Sequence, residues 1–289
     1  MRIDLQSHSL YSDGALAPAS VVEHAAVAGV ELLALTDHDT LDGVDEALAA
    51  ASKHGIGLVA ATEISATDAG YEDLHMLGYG LDHHDAILLE RLRDARADRE
   101  VRARRMVSNL VELGFAVDEE PLAARSRAGK PIGRPHLAAA VLSHPANAAL
   151  LSEHGLTDVS SFIRAYLVPD APAYAKRTRP TVADAIQWIQ EAGGLAVWAH
   201  PFWDLADDEA VLAAIDRYRA AGLDGVECFY PTHDARQTRL LADRCSRLGL
   251  LSSASADFHG PEHQLFNRFL AYELYDREPQ LGPITATDR

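Results

Sequence analysis

The sequence predicts an α/β fold of alternating strands and helices, the strands parallel, interrupted by a mainly helical insertion. Two observations carry this reading. Short apolar runs that end in Asp, Glu or His alternate with helix-period stretches, several of them closed by glycine. Between about residues 90 and 176 the alternation stops and the chain turns charged and helical in pattern. At 289 residues, 48% hydrophobic and 24% charged, the chain is one large domain or two modest ones with a sizeable core.

RIDL at 2–5 reads as a short strand, followed by a helix over 18–29 that opens at Pro18 and stops at Gly29. ELLALTDHD is an apolar strand running into acids and His38, and a helix over 43–54 is stopped by Gly55. GLVAATEIS is a strand carrying Glu63, and DLHMLGYGL another carrying His75. From 85 to 113 the pattern is one long charged helix. Its ERLRDARADREVRARRM stretch sets Arg against Glu and Asp three and four residues apart, which makes a solvated, ion-paired face rather than a nucleic-acid surface. Short helices and loops fill 114–179. The alternation then resumes with a helix over 181–193, the strand LAVWAHP ending at His200, a helix over 207–221, the strand DGVECFY and a helix over 233–248. The last strand, LLSSASADFHG, runs to Asp257 and His259, making about seven βα-type units.

The composition excludes several classes. A formal charge of −17 disfavours long duplex nucleic acid as a partner, though not a local basic pocket for a small phosphate. No run of 18 apolar residues could cross a membrane, and MRIDLQSHSLYSDG has no apolar core of a secretion signal. Cys228 and Cys245 cannot form a disulfide framework, so a reducing, cytoplasmic setting is expected. The basic set is almost all arginine, with lysine only at 53, 130 and 176.

The fourteen histidines are scattered singly, several at strand ends. Gln6, His8, Asp13, His38, Glu63, His75, His200, Asp257 and His259 all fall at or near the C-terminal ends of the expected strands, the face on which α/β barrels build active sites. One such residue is ordinarily a satisfied core or loop group. So many on one rim need a compensating charge, and a metal cluster supplies it. Imidazole with carboxylate, and no thiolate, suits Zn, Mn or Fe. Asp37 and Asp39 flank His38 and are expected to orient it. Trp188, Trp198 and Trp203 read as core or pocket wall.

In order, the segments DLQSHSLYSDG, ALTDHDTLDG, ATEIS, DLHMLGYGL, GGLAVWAHP and SASADFHG resemble the PHP (polymerase and histidinol phosphatase) family of metal-dependent phosphoesterases. GRPHLAAAV and YAKR extend the likeness into the insertion, toward the branch acting on nucleotide or ribose phosphates. The resemblance implies a distorted (β/α)7 TIM-like barrel, built from 1–90 and 177–289 around a helical insertion at 91–176. It implies two or three divalent ions, Mn2+ ahead of Zn2+ or Fe2+: one on Gln6, His8, Glu63 and Asp257, a second on Glu63, His75 and His200, a third on Asp13, His38 and His259. Gln6 departs from the family's opening His-x-His, putting an amide where an imidazole is usual and loosening the first site. Catalytic roles are expected of His200, His233 and Asp257. His233 is weighed evenly as an acid or phosphate contact and as a mere neighbour of a helix cap.

Arg134 and Lys176, cations beside Gly and Pro turns, are the expected phosphate contacts, with His136 and Arg177 nearby and His233 as a further candidate. The expected substrate is a small phosphorylated compound, a nucleoside 3′,5′-bisphosphate losing its 3′-phosphate or a short oligoribonucleotide end. A ribose cyclic phosphate and histidinol phosphate are the alternatives. A metal-poor binding module that kept the barrel is the competing class, and Gln6 is its only support.

Overall fold

In the computed structural model of the chain, the described residues are 1–68, 71–127, 132–176 and 180–285. Arg177 lies outside them. The chain divides into two compact units, residues 1–93 with 179–289, and residues 94–178.

The first unit is built on one seven-stranded sheet whose strands neighbour each other in sequence order: β1 (Ile3–Asp4), β2 (Leu32–Leu35), β3 (Gly57–Asp68), β4 (Tyr71–Tyr79), β5 (Leu195–Trp198), β6 (Gly225–Phe229) and β7 (Leu251–Ala254). β1–β2–β3 and β5–β6–β7 pair in parallel, as expected. β4 corrects the expectation, because it runs antiparallel to both β3 and β5. Only residues 69 and 70 separate β3 from β4, and parallel pairing would need a crossover of a dozen or more. The sheet curls until its ends meet: the Leu5 N–H donates to the Ala254 carbonyl at 3.0 Å, and Ser7 bridges to Phe258 in parallel.

Helix α1 (Pro18–Ala28) starts where proline's fixed φ suits a first turn and ends at Gly29 with φ +82°. α2 (Val44–His54) follows β2, and α3 (Ala86–Glu112) follows β4. The second unit continues with α4 (Glu119–Arg127), α5 (Arg134–Leu142), α6 (Ala148–Glu153) and α7 (Val159–Tyr166). After β-structure resumes, α8 (Val182–Glu191) precedes β5, the four-residue α9 (Pro201–Asp204) and α10 (Asp208–Ala220) precede β6, and α11 (Ala235–Leu248) precedes β7. Asp234 caps α11 by accepting from the Gln237 N–H at 2.8 Å while Gln237 accepts from the Asp234 N–H. Among the described residues no helix is long and apolar enough to cross a membrane.

Inside the first unit Trp198, Tyr79, Ile64, Met76 and Leu5 are fully buried, each contributing roughly 1.5–3 kcal/mol of burial. Tyr79 donates its hydroxyl to the Leu5 carbonyl at 2.8 Å, joining β4 to the chain after β1 across the barrel interior. The second unit has a separate core of Leu110, Phe115, Leu137, Phe162 and Leu167. Asn147 stitches its loops: the amide donates to the carbonyls of Ala116 and Val141 at 2.7 Å each and accepts from the Ala116 N–H at 2.8 Å.

Candidate metal centre

The loops after the strands carry the polar residues inward. After β1 the chain turns through Gln6–Asp13, and the His8 N–H donates to the Phe258 carbonyl at 2.8 Å. Gly14 closes this turn so tightly that a Cβ would lie 2.2 Å from the His8 carbonyl oxygen. Asp37 pins the same turn, accepting from the Ser9 N–H (2.7 Å), Ser9 Oγ (2.6 Å) and Ser12 Oγ (2.6 Å). Its expected contact with His38 gives way to this clamp. Asp39 accepts from the Ser65 N–H at 2.8 Å. At three strand ends a non-glycine residue takes positive φ: Asp39 (+53°), His200 (+28°) and Asp257 (+52°). Such conformations cost about 1–3 kcal/mol each and concentrate at functional sites.

Glu63, fully buried in β3, is the hub. Its Oε1 lies 2.9 Å from His75 Nδ1 and 3.2 Å from His200 Nε2, and its Oε2 lies 3.1 Å from His8 Nε2 and 3.6 Å from His38 Nδ1. Asp13 is a second hub, 3.5 Å from His8 Nδ1, 3.5 Å from His38 Nε2 and 3.4 Å from His259 Nε2. Asp257 Oδ1 lies 3.1 Å from His8 Nε2 and 3.6 Å from His259 Nδ1. Gln6 is fully buried and donates Nε2–H to Glu63 Oε2 at 3.1 Å, while its Oε1 lies 3.4 Å from Ser255 Oγ. As arranged, Gln6 turns its nitrogen, not the oxygen expected to ligate, toward Glu63.

Burial alone would raise the Glu63 pKa, but the encircling imidazoles hold its carboxyl, and that of the more exposed Asp13, well below the ordinary range. Burial opposes charge on His200, yet the adjoining Glu63 carboxylate pushes it up to about 9. The ring of acids thus calls for positive charge at its centre. His8 Nε2, His38 Nδ1 and Asp257 Oδ1 are buried and make no hydrogen bond although acids and imidazoles surround them. Two groups of donor atoms converge within 4.8 Å, His8–Asp13–His38–His259 and His38–Glu63–His75. Convergent nitrogen and carboxylate donors lacking hydrogen bonds fit divalent metal ions.

A cavity of about 160 Å³ opens over this cluster, with Trp203, Tyr230 and Phe266 as its aromatic wall. Tyr230 donates its hydroxyl to Asp257 Oδ2 at 2.7 Å and so fixes which carboxylate oxygen faces the cluster. Buried Glu227 accepts from the His200 N–H (2.9 Å) and from Ser255 Oγ (2.6 Å), and burial pushes its carboxyl up to about 8. Sequence reasoning missed Tyr230 and Glu227. Glu227, an acid inside the apolar run GVECFY, was the available signal.

His233 is buried, donates Nδ1–H to the Cys228 carbonyl at 3.1 Å, and packs against Phe202 and Tyr230. Burial lowers its pKa to about 4, so the ring is neutral with an acceptor at Nε2. Arg134 opens α5, where His136 Nδ1 accepts from the Gly133 N–H at 3.0 Å; Lys176 is exposed, and all three belong to the second unit.

Residues 4–131 match the PHP domain family. The chain is 35% identical over 260 residues to a 3′,5′-nucleoside bisphosphate phosphatase of Chromobacterium violaceum, spanning 90% of this chain and 87% of that protein. It is 31% identical to a 5′-3′ exoribonuclease of Haemophilus influenzae, spanning 90% of each. An amidohydrolase structure from Chromobacterium violaceum, with bound sulfate and no metal, superposes with a TM-score of 0.76 at 32% identity, covering 96% of this chain and 94% of that one. The strand-end cluster, the curled seven-stranded sheet and these relatives lead to one conclusion: the chain belongs to the PHP family of metal-dependent phosphoesterases.

Proposed function

We propose that the chain hydrolyses a nucleoside 3′,5′-bisphosphate, releasing the 3′-phosphate. The observation that carries the reading is the ring of carboxylates and imidazoles around buried Glu63 and the more exposed Asp13, in a chain 35% identical to a protein named 3′,5′-nucleoside bisphosphate phosphatase. His8, Asp13, His38, Glu63, His75, His200, Asp257 and His259 are the proposed metal ligands, with Gln6 adjoining through Glu63. Mn2+ is the proposed ion ahead of Zn2+ or Fe2+, because a site edged by an amide and carboxylates favours a harder ion. Divalent ions, when bound there, supply Lewis-acid stabilisation of phosphoryl oxygens and acidify a water.

The chain's own groups do the rest. Water oxygen joins phosphorus, the bond from phosphorus to the 3′-oxygen breaks, and the leaving oxygen takes a proton. His200, a ligand first, borders the cavity and is the residue we assign to assist that transfer, while Asp257 accepts from the Tyr230 hydroxyl. His233, neutral at Nε2, accepts rather than donates a proton. The 160 Å³ cavity suits a phosphoryl group with its sugar, not a duplex. Arg134 and Lys176, with His136, are the proposed cations for the second phosphate, on charge and sequence context alone. Losing that remote contact predicts weak turnover of a nucleoside 3′-monophosphate.

The test is release of inorganic phosphate from adenosine 3′,5′-bisphosphate with Mn2+, run beside adenosine 3′-monophosphate and a short 5′-phosphorylated RNA. Phosphate from the bisphosphate, with the 3′-monophosphate turned over only weakly, supports the proposal. Nucleotide release from RNA with the bisphosphate untouched would replace it by the second reading, an exoribonuclease like the Haemophilus relative. A chain that binds one ion or none and turns over none of the three is a binding module instead.

A further inference from the structure

Outside the strand-end cluster, the described residues hold one further convergence of metal-type donors: Asp45, His83 and His84. We propose that these three residues form a separate surface site for a single borderline transition-metal ion, Zn2+ in the first instance, which staples the turn between β4 and α3 to the first turn of α2.

Both Nε2 atoms approach the same Asp45 Oδ1, His83 at 3.0 Å and His84 at 3.6 Å, and the two ring centroids are 4.1 Å apart. One carboxylate oxygen shared by two imidazoles leaves the second ring poorly served by hydrogen bonding, whereas one cation would bind all three donors.

The donors also sit on fixed backbone. The Asp82 N–H donates to the Ala192 carbonyl at 2.9 Å and the Asp85 N–H to the Asp82 carbonyl at 3.0 Å. The His84 N–H donates to Asp82 Oδ1 at 2.9 Å, and Asp85 caps α3 by accepting from the Leu88 N–H at 2.7 Å. Asp45 lies in the first turn of α2. His83 is largely covered, with 19% of its side chain exposed, while His84 and Asp45 are open at 66% and 71%. An ion can therefore reach the site from solvent, and water can complete its coordination. Two imidazoles and one carboxylate select Zn2+, Co2+, Ni2+ or Cu2+ over Mg2+ or Ca2+.

The site shares no residue with the strand-end cluster, so it stands or falls independently of the phosphoesterase proposal. It also means that a metal count on the whole protein exceeds the number of ions at the active centre by one whenever zinc is present.

The experiment is equilibrium dialysis of the full chain against Zn2+ followed by metal quantification, comparing wild type with His83→Ala/His84→Ala. The expected result is one zinc fewer per chain in the double variant, phosphate release with Mn2+ within twofold of wild type, and a smaller zinc-induced rise in melting temperature. Equal zinc content in the two proteins overturns the proposal. Should the double variant fold poorly, Asp45→Asn replaces it, since that exposed side chain holds no core contact; unchanged zinc uptake there overturns the proposal equally. A Glu63→Gln chain that still binds this one zinc separates the surface site from any failure at the centre.

Discussion

The two units of this chain bury different things. In the barrel unit, Asp4, Gln6, His8, Asp37, Asp39, Glu63, His200, Glu227, His233 and Asp257 are all buried, most of them at or next to strand ends. In the helical unit, the buried polar side chains among the described residues are Arg102 and Asn147, each bonded to backbone carbonyls. Backbone-paired groups need nothing further, and the one buried atom without a hydrogen bond among the described residues of this unit is the neutral Tyr174 hydroxyl. Clustered carboxylates facing imidazoles are complete only with added positive charge. The difference teaches where ligand dependence should reside: the barrel rim is built to be finished by cations, and the helical core is not.

The sharpest way to break this comparison is Glu63→Gln. It removes the charge that four histidines share. Turnover should fall roughly a thousandfold and bound metal should drop, read by phosphate release and metal analysis. Retained metal with retained turnover would mean the hub is structural.

Next in size is the pH dependence of stability. His233 has an ordinary pKa of 6.5 and a folded value of about 4, so the unfolded chain binds the extra proton first. Stability from its neutral ring is full above pH 6.5 and is lost as pH falls toward 4, by at most on the order of 3 kcal/mol. His233→Asn keeps a donor for the Cys228 carbonyl but does not titrate. Its melting temperature should fall less than wild type across that window.

Tyr230→Phe deletes only the hydroxyl that holds Asp257. We expect roughly a 10- to 100-fold loss in metal affinity or activity, with the fold intact by circular dichroism. The smallest effect belongs to the helical unit. Arg104→Ala breaks an exposed pair with Glu100 and should change stability by less than about 0.5 kcal/mol in a denaturant titration, with or without chelator. A chelator-dependent effect there would erase the distinction between the units.

The long charged helix was legible because Arg and acid recur at three and four residues, and it spans Ala86–Glu112 as that pattern requires. The strand-end acids and histidines were legible because apolar runs locate strand ends. β4 was read as a strand but not as a reversed one. Its direction depends on a connection of two residues, and an apolar run looks the same in either direction. Asp37 was expected to serve His38 as its neighbour in sequence; folding carried it instead to Ser9 and Ser12, 28 and 25 residues away.

The order of strands and helices, the separate helical insertion and the excess of metal-type residues at strand ends follow from the sequence alone, because periodicity and turn residues are local properties, and the ordered segments carry the resemblance to the family. The tertiary structure decided which donors share a hub, which way Gln6 turns its amide, that Tyr230 and Glu227 support the rim, and that Asp45 meets His83 and His84. Those depend on distances between residues far apart in the chain, which only the closing of the sheet and the packing of its helices can set.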